Sequence, residues 1–162
     1  KTPLPADRAV GDFAKLREVA ADGWPCWAFS HHDVTRHATR WGLPEAGQRC
    51  FATLLMCLRG SACIYQGEEL GFEEADVDFD DLQDPYGIEF WPEFKGRDGC
   101  RTPMAWVTDN ASGGFTQASR SWLPVASDHL HRSVTKQEEE PDALLHHYRR
   151  VIALRHSEAA LS

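Results

Sequence analysis

Apolar positions along the chain switch between two rhythms. Val10, Phe13, Leu16 and Ala20 fall close to helical spacing, and Asp22-Gly23 ends the run, which predicts a first helix over Ala6–Ala20. Trp24–Phe29 is a short, nearly continuous apolar run rich in aromatics. It predicts a buried strand, with Pro25 near its start, where a missing N–H costs least. The polar stretch Ser30-His31-His32-Asp33 follows at once. A second helix is predicted from Pro44, with Ala46, Cys50, Phe51, Leu54, Leu55 and Leu58 as its apolar face and Gly60 as its stop. Ser61–Tyr65 predicts a second buried strand, and Gln66-Gly67-Glu68-Glu69 forms its polar end. From Leu70 to about Glu140 no period stands out. A last helix is predicted from near Pro141, with Leu144, Leu145, Tyr148, Val151, Ile152 and Arg155 on one side. Its outer face would carry His146, His147, Arg149 and Arg150, and Glu138-Glu139-Glu140 would complement its N-terminal dipole.

The predicted order is helix, strand, helix, strand, long loop, helix. Alternating helices and fully apolar strands indicate an α/β fold with a parallel sheet covered by helices. The long segment exceeds ordinary connections, and such loops are functional or disordered. Phe79, Tyr86, Phe90, Trp91 and Phe94 argue against disorder here. In a (β/α)8 barrel, chemistry sits where strands end. Both polar clusters and the long loop follow a predicted strand directly, so all three would line one face. Two strands cannot close a barrel, which takes about 250 residues. The pattern therefore reads as a different open sheet or as a piece of a barrel.

Composition narrows the function classes. With 162 residues the chain fits one domain. Its 25 acidic and 17 basic side chains give a net charge of -8, which argues against nucleic acid or an anionic membrane as the main partner. No apolar run approaches the ~18 residues of a membrane helix, and no signal peptide is visible. Lys1 in place of Met, and an end just after a helix-like segment, read as cut ends. The five cysteines are odd in number and show no C-x-x-C spacing. They read as free, buried thiols of a reducing compartment, with the cytoplasm as the expected location.

Three clusters can carry chemistry. His31-His32-Asp33, with Arg36 close behind, can grip a polyhydroxylated ligand: the carboxylate accepts hydroxyl protons, while imidazole and guanidinium donate. The same residues also read as a polar loop with an N-cap aspartate, or as metal ligands. Adjacent residues on an extended chain point to opposite faces, which counts against a metal shared by His31 and His32. Glu68 and Glu69, between two glycines, read as strand-end anchors before they read as an acid/base pair. Arg97 and Arg101 sit in a turn punctuated by Gly96, Gly99 and Pro103, near Trp106, and suit sugar recognition. His129-Leu130-His131 reads as a solvated loop. No nucleotide-binding or nucleophile-elbow pattern appears, and no cofactor is expected.

Taken together, the clusters resemble a known family. Phe29-Ser30-His31-His32-Asp33-Val34-Thr35-Arg36 is similar to the strand-seven motif of glycoside hydrolase family 13, the α-amylase family, usually F-x-N-H-D. Ile64–Gly71 resembles its strand-eight motif. Asp81–Pro85, Phe90-Trp91-Pro92 and Gly96–Trp106 resemble the bacterial α-glucosidase branch, near oligo-1,6-glucosidase-like enzymes. The resemblance implies a partial (β/α)8 barrel, from about strand seven to helix eight, with a long loop after strand eight. Residues 1–162 would then be the C-terminal portion of one catalytic barrel, with no second domain. It implies retaining hydrolysis of α-glucosidic bonds of small oligosaccharides, with Asp33 as transition-state stabiliser and His32, Arg97, Arg101 and Arg36 as substrate-binding residues. His31 replaces the usual Asn, and Ala105 a usual proline. The family's nucleophile and acid/base belong to strands four and five, whose motifs do not appear. The isolated chain is therefore expected to be inactive, poorly soluble or partly disordered, and to need the rest of its parent polypeptide. The alternative is a non-catalytic sugar- or partner-binding module built on the same fold.

Overall fold

Two short strands, β1 (Cys26–Ala28) and β2 (Ser61–Cys63), pair in parallel, with Cys26 opposite Ser61 and Ala28 opposite Cys63. In this computed structural model the described residues are 11, 14, 15, 18 and 23–161. The helix predicted over Ala6–Ala20 lies largely outside them. Among the described residues, the sheet has these two strands alone, the open piece expected of part of a barrel.

The connection from β1 to β2 carries two helices, α1 (His37–Trp41) and α2 (Glu45–Cys57). Gly42 ends α1 in the left-handed region at φ 63°. Pro44, extended, introduces α2 one residue before its first turn. After β2 come α3 (Pro85–Glu89), α4 (Ser127–Leu130), α5 (Val134–Glu139) and α6 (Leu144–Ser157), with tight 3-10 turns at Glu68–Leu70, Phe79–Asp81 and Asp98–Cys100. The segment after Leu70 is thus not without structure. Its helices span one or two turns, too short to show a period in the sequence.

Helix α6 packs on α2. Leu55 and Met56 meet Val151, and Ala52 meets Leu144 and Tyr148. The Arg155 guanidinium donates to the carbonyls of Met56 (2.5 Å), Leu58 (2.9 Å) and Gly60, capping the end of α2. A second cluster, Leu70, Phe72, Ala105 and Leu145, ties the long segment to α6. Gln137 joins the two layers. Its Nε2 donates to Leu70 O (2.8 Å), and its Oε1 accepts from Leu145 N (3.1 Å) at the start of α6. Glu138 and Glu139 form the last turn of α5, and Glu138 Oε1 pairs with Arg149 of α6 at 2.7 Å.

In this open piece, with no further strand among the described residues to cover the sheet, Cys26, Ala28, Ser61 and Cys63 are exposed and Trp27 and Ala62 half-covered. One burial expectation needs correcting. On α2 the buried residues are Gln48, Ala52, Leu55 and Met56, whereas Ala46, Cys50 and Leu54 face outward. Helix α6 selects the buried side, and the sequence shows two apolar stripes without ranking them. The cysteines follow suit. All five are free, but only Cys100 is buried.

Candidate active site

The loop that leaves β1 is shaped by its own side chains. Ser30 is buried and accepts the His37 N–H (2.9 Å), which turns the chain into α1. His31 Nδ1 accepts the Asp33 N–H (3.3 Å). A side-chain acceptor for the amide two residues on is the job of asparagine in an Asx turn. His31 therefore fills the acceptor position that an asparagine takes in such a turn. The ring is committed to the loop, which removes one of the two histidines a metal at His31–Asp33 would need. Among the described residues, no three His, Cys, Asp or Glu side chains gather as metal ligands would.

Asp33 sits at the tip of this loop. Its Oδ1 accepts from Arg97 Nη1 and from Arg101 Nη2, both at 3.0 Å. His32 Nε2 lies 3.2 Å from its Oδ2. Burial works against the charged carboxylate, but His32, Arg97 and Arg101 hold Asp33 below the usual carboxylate range. Arg101 Nε also donates to His32 O (2.7 Å), locking the turn of the long segment onto the β1 loop. Residues separated by more than sixty positions thus converge on one carboxylate, which brings His32, Asp33, Arg97 and Arg101 together.

Arg36 is different and must be corrected. It is fully buried. Its Nη1 donates to Gln66 O (2.7 Å) and its Nη2 to Cys100 O (3.0 Å). The guanidinium lies 5.1 Å from the Tyr65 ring centroid and 5.6 Å from that of Phe72. Its backbone N–H donates to Glu74 Oε2 (2.8 Å). With no exposed surface and both terminal nitrogens spent on backbone carbonyls, Arg36 braces the floor of the site and does not reach out to a substrate.

The strand-eight-like acids are anchors. Glu68 is buried, accepts from Tyr65 N (2.8 Å) and lies 2.8 Å from His37 Nδ1, tying the end of β2 to α1. Burial pushes the Glu69 carboxyl up. His129 is also corrected: it is buried, stacks on Phe72 at 4.0 Å, and has Nε2 2.9 Å from Glu73 O. Burial lowers its pKa to about 4. Cys100, beside the arginine turn, donates from Sγ to Arg97 O (3.1 Å), and burial pushes the thiol up to about 11.

One polar residue escaped the sequence reading. Asp84 is buried at the start of α3 and accepts from Arg97 Nε (2.8 Å), Arg97 Nη2 (2.9 Å) and the Arg97 backbone N–H (2.7 Å). These hydrogen bonds from Arg97 hold its carboxyl well below the usual range. The Asp-Pro-Tyr pattern, an N-cap before a proline at the first helical turn, was the available signal.

Known proteins are similar to this chain in sequence and in fold. A family model described as the alpha-amylase catalytic domain matches residues 12–162. A probable alpha-glucosidase of Rhizobium meliloti (strain 1021) is 52% identical over 165 residues, covering 99% of this chain and 29% of that protein. An oligo-1,6-glucosidase of Heyndrickxia coagulans is 34% identical, covering 86% of this chain and 29% of that protein. The crystal structure of the alpha-glucosyl transfer enzyme XgtA superposes with a TM-score of 0.91 at 48% identity, covering 98% of this chain and 30% of that one. An isomaltulose synthase from Erwinia rhapontici NX5, at 24% identity and a TM-score of 0.83, shares the fold. The chain spans about 30% of the length of these proteins, so the two strands and their helices are part of a (β/α)8 barrel. A carboxylate clasped by two arginines at the end of a barrel strand, with a family match over nearly the whole sequence, leads to one conclusion: the chain belongs to the alpha-amylase family of glycoside hydrolase catalytic domains.

Proposed function

We propose that this chain is the strand-seven to helix-eight portion of the catalytic barrel of a retaining α-glucosidase. Its substrates are short oligosaccharides with terminal α-glucosidic bonds. The observation that carries the reading is the Asp33 carboxylate, held ionised by Arg97, Arg101 and His32 at the end of β1. An oxocarbenium-like transition state places positive charge on the sugar ring, and a fixed anion facing that ring stabilises it. Oδ1 takes both arginines and Oδ2 lies 3.2 Å from His32 Nε2, so the sugar would approach the exposed side of a carboxylate already held at both oxygens.

Retaining hydrolysis needs a nucleophile and an acid/base about 5–5.5 Å apart. The family resemblance puts both in other strands, so these 162 residues alone are expected to turn over nothing. The names of the relatives, alpha-glucosidase and oligo-1,6-glucosidase, support the substrate class. Five free thiols support a reducing, cytoplasmic setting. The test is to express the full open reading frame and assay a chromogenic α-glucoside. Activity that Asp33→Asn lowers by ~10²-fold or more supports the reading. Turnover by the 162-residue chain itself would sink the inactivity claim. Glucose or maltose binding to the isolated chain, lost in Asp33→Ala, would favour a non-catalytic binding module.

A further inference from the structure

Resting on that reading of Arg97 as a sugar-binding residue, we infer that Asp84 is a positioning residue, whose bidentate grip on Arg97 fixes the guanidinium in reach of both Asp33 and the sugar. The geometry is a two-ended clamp. At one end, Asp84 takes Arg97 Nε and Nη2 side on, at 2.8 and 2.9 Å, and its backbone N–H at 2.7 Å. At the other end, Nη1 reaches Asp33 at 3.0 Å. A guanidinium has five N–H donors. Asp84 occupies one on Nε and one on Nη2, and Asp33 one on Nη1. One donor on each of the two terminal nitrogens is left for sugar hydroxyls. The planar fork cannot turn without breaking both Asp84 bonds, so their direction is set before any ligand arrives.

The clamp is itself held from behind. Asp98 Oδ2 accepts the backbone N–H groups of Gln83 (2.6 Å) and Asp84 (2.7 Å), fixing the chain that carries the carboxylate. Gly96, at φ +77°, lets the loop before Arg97 pass close: a Cβ there would meet Gly87 Cα at 2.8 Å and Asp84 Oδ2 at 2.9 Å. The Tyr86 ring covers the guanidinium at 5.3 Å. A buried aspartate that served only to cap α3 would need its bond to Tyr86 N (3.3 Å) and nothing from Arg97. Most of its acceptor capacity is spent on Arg97 instead.

Asp84→Asn keeps the cap and the shape and removes the charge. In the full-length polypeptide we expect KM for a chromogenic α-glucoside to rise at least ~10-fold with a smaller fall in kcat, because ground-state binding is lost. In an Arg97→Met background, Asp84→Asn should change KM no further. An unchanged KM, or an effect that simply adds to that of Arg97→Met, overturns the proposal. Should Asp84→Asn fail to fold, Asp84→Glu, which keeps the charge on a longer arm, is read by the same cycle. A second readout is independent of catalysis. In carbon-detected NMR of the full-length polypeptide, Asp84→Asn should raise the Asp33 titration midpoint as Arg97 Nη1 leaves it. If the wild-type polypeptide cleaves no α-glucoside, the proposed function fails while this titration still decides: a raised midpoint supports the clamp, and an unmoved one overturns it.

Discussion

Replacing Arg36 separates a brace from a ligand contact. Arg36→Met removes two charge-assisted hydrogen bonds, to Gln66 O and Cys100 O, from a fully buried site. Each such bond is worth ~1.5–3 kcal/mol net, and each carbonyl left dry costs a similar amount. Against this, the substitution no longer desolvates a guanidinium, and methionine still fills the space between Tyr65 and Phe72. The balance is a loss of about 4 kcal/mol, within the ~3–5 kcal/mol typical of breaking a buried ionic arrangement. Arg36→Lys keeps the charge but cannot fork to both carbonyls, so about half that loss is expected. The assay is urea denaturation of the full-length polypeptide, followed by tryptophan fluorescence, with KM for a chromogenic α-glucoside measured on the same preparations. For a slope of ~4 kcal/mol per M, the Arg36→Met midpoint falls by ~1 M. Unchanged stability with a raised KM would refute the reasoning and restore Arg36 as a substrate contact.

Three further outcomes follow from the same geometry. His129 has its folded pKa lowered to about 4 against an ordinary value near 6.5, so the unfolded chain binds the extra proton first. Stability is full above ~6.5 and falls as pH drops toward ~4, by up to ~3 kcal/mol, and His129→Gln should flatten that slope in urea melts at several pH values. Gly67→Ala places a Cβ 2.4 Å from Phe72 Cδ2 at φ +84°, and a loss of ~3 kcal/mol is expected by thermal denaturation. His31→Ala deletes the acceptor for the Asp33 N–H and should cut kcat/KM of the full-length polypeptide ~5-fold, whereas His31→Asn should restore it; equal loss in both would show that the bond does not shape the loop.

The parts of the fold visible in the sequence were those with long or punctuated signals. Pro44 marked the start of α2, and the apolar rows of α2 and α6 were long enough to read. Helices α3 to α5 were not legible, because four to six residues hold too few turns for periodicity. In the site, Asp33, His32, Arg97 and Arg101 stood out through spacing and motif. Arg36 looked equally available three residues from Asp33. Its burial is decided by carbonyls 30 and 64 positions away, which local sequence does not encode. His129 misled in the same way: a polar neighbourhood in sequence became an apolar one once Phe72 stacked on it. Asp84 was quoted as motif but given no work, since its partner lies 13 residues on, across a loop of irregular path.

The split among the cysteines has a practical consequence for handling. Four thiols are on the surface, two of them on the strand pair, while Cys100 is enclosed and its thiol is held protonated to about pH 11. Alkylating reagents near neutral pH will therefore modify Cys26, Cys50, Cys57 and Cys63 and spare the thiol next to the arginines. Air oxidation will cross-link separate copies through those outer positions. Preparations made without reductant should run as covalent multimers on a gel, yet keep the Asp33 cluster chemically intact.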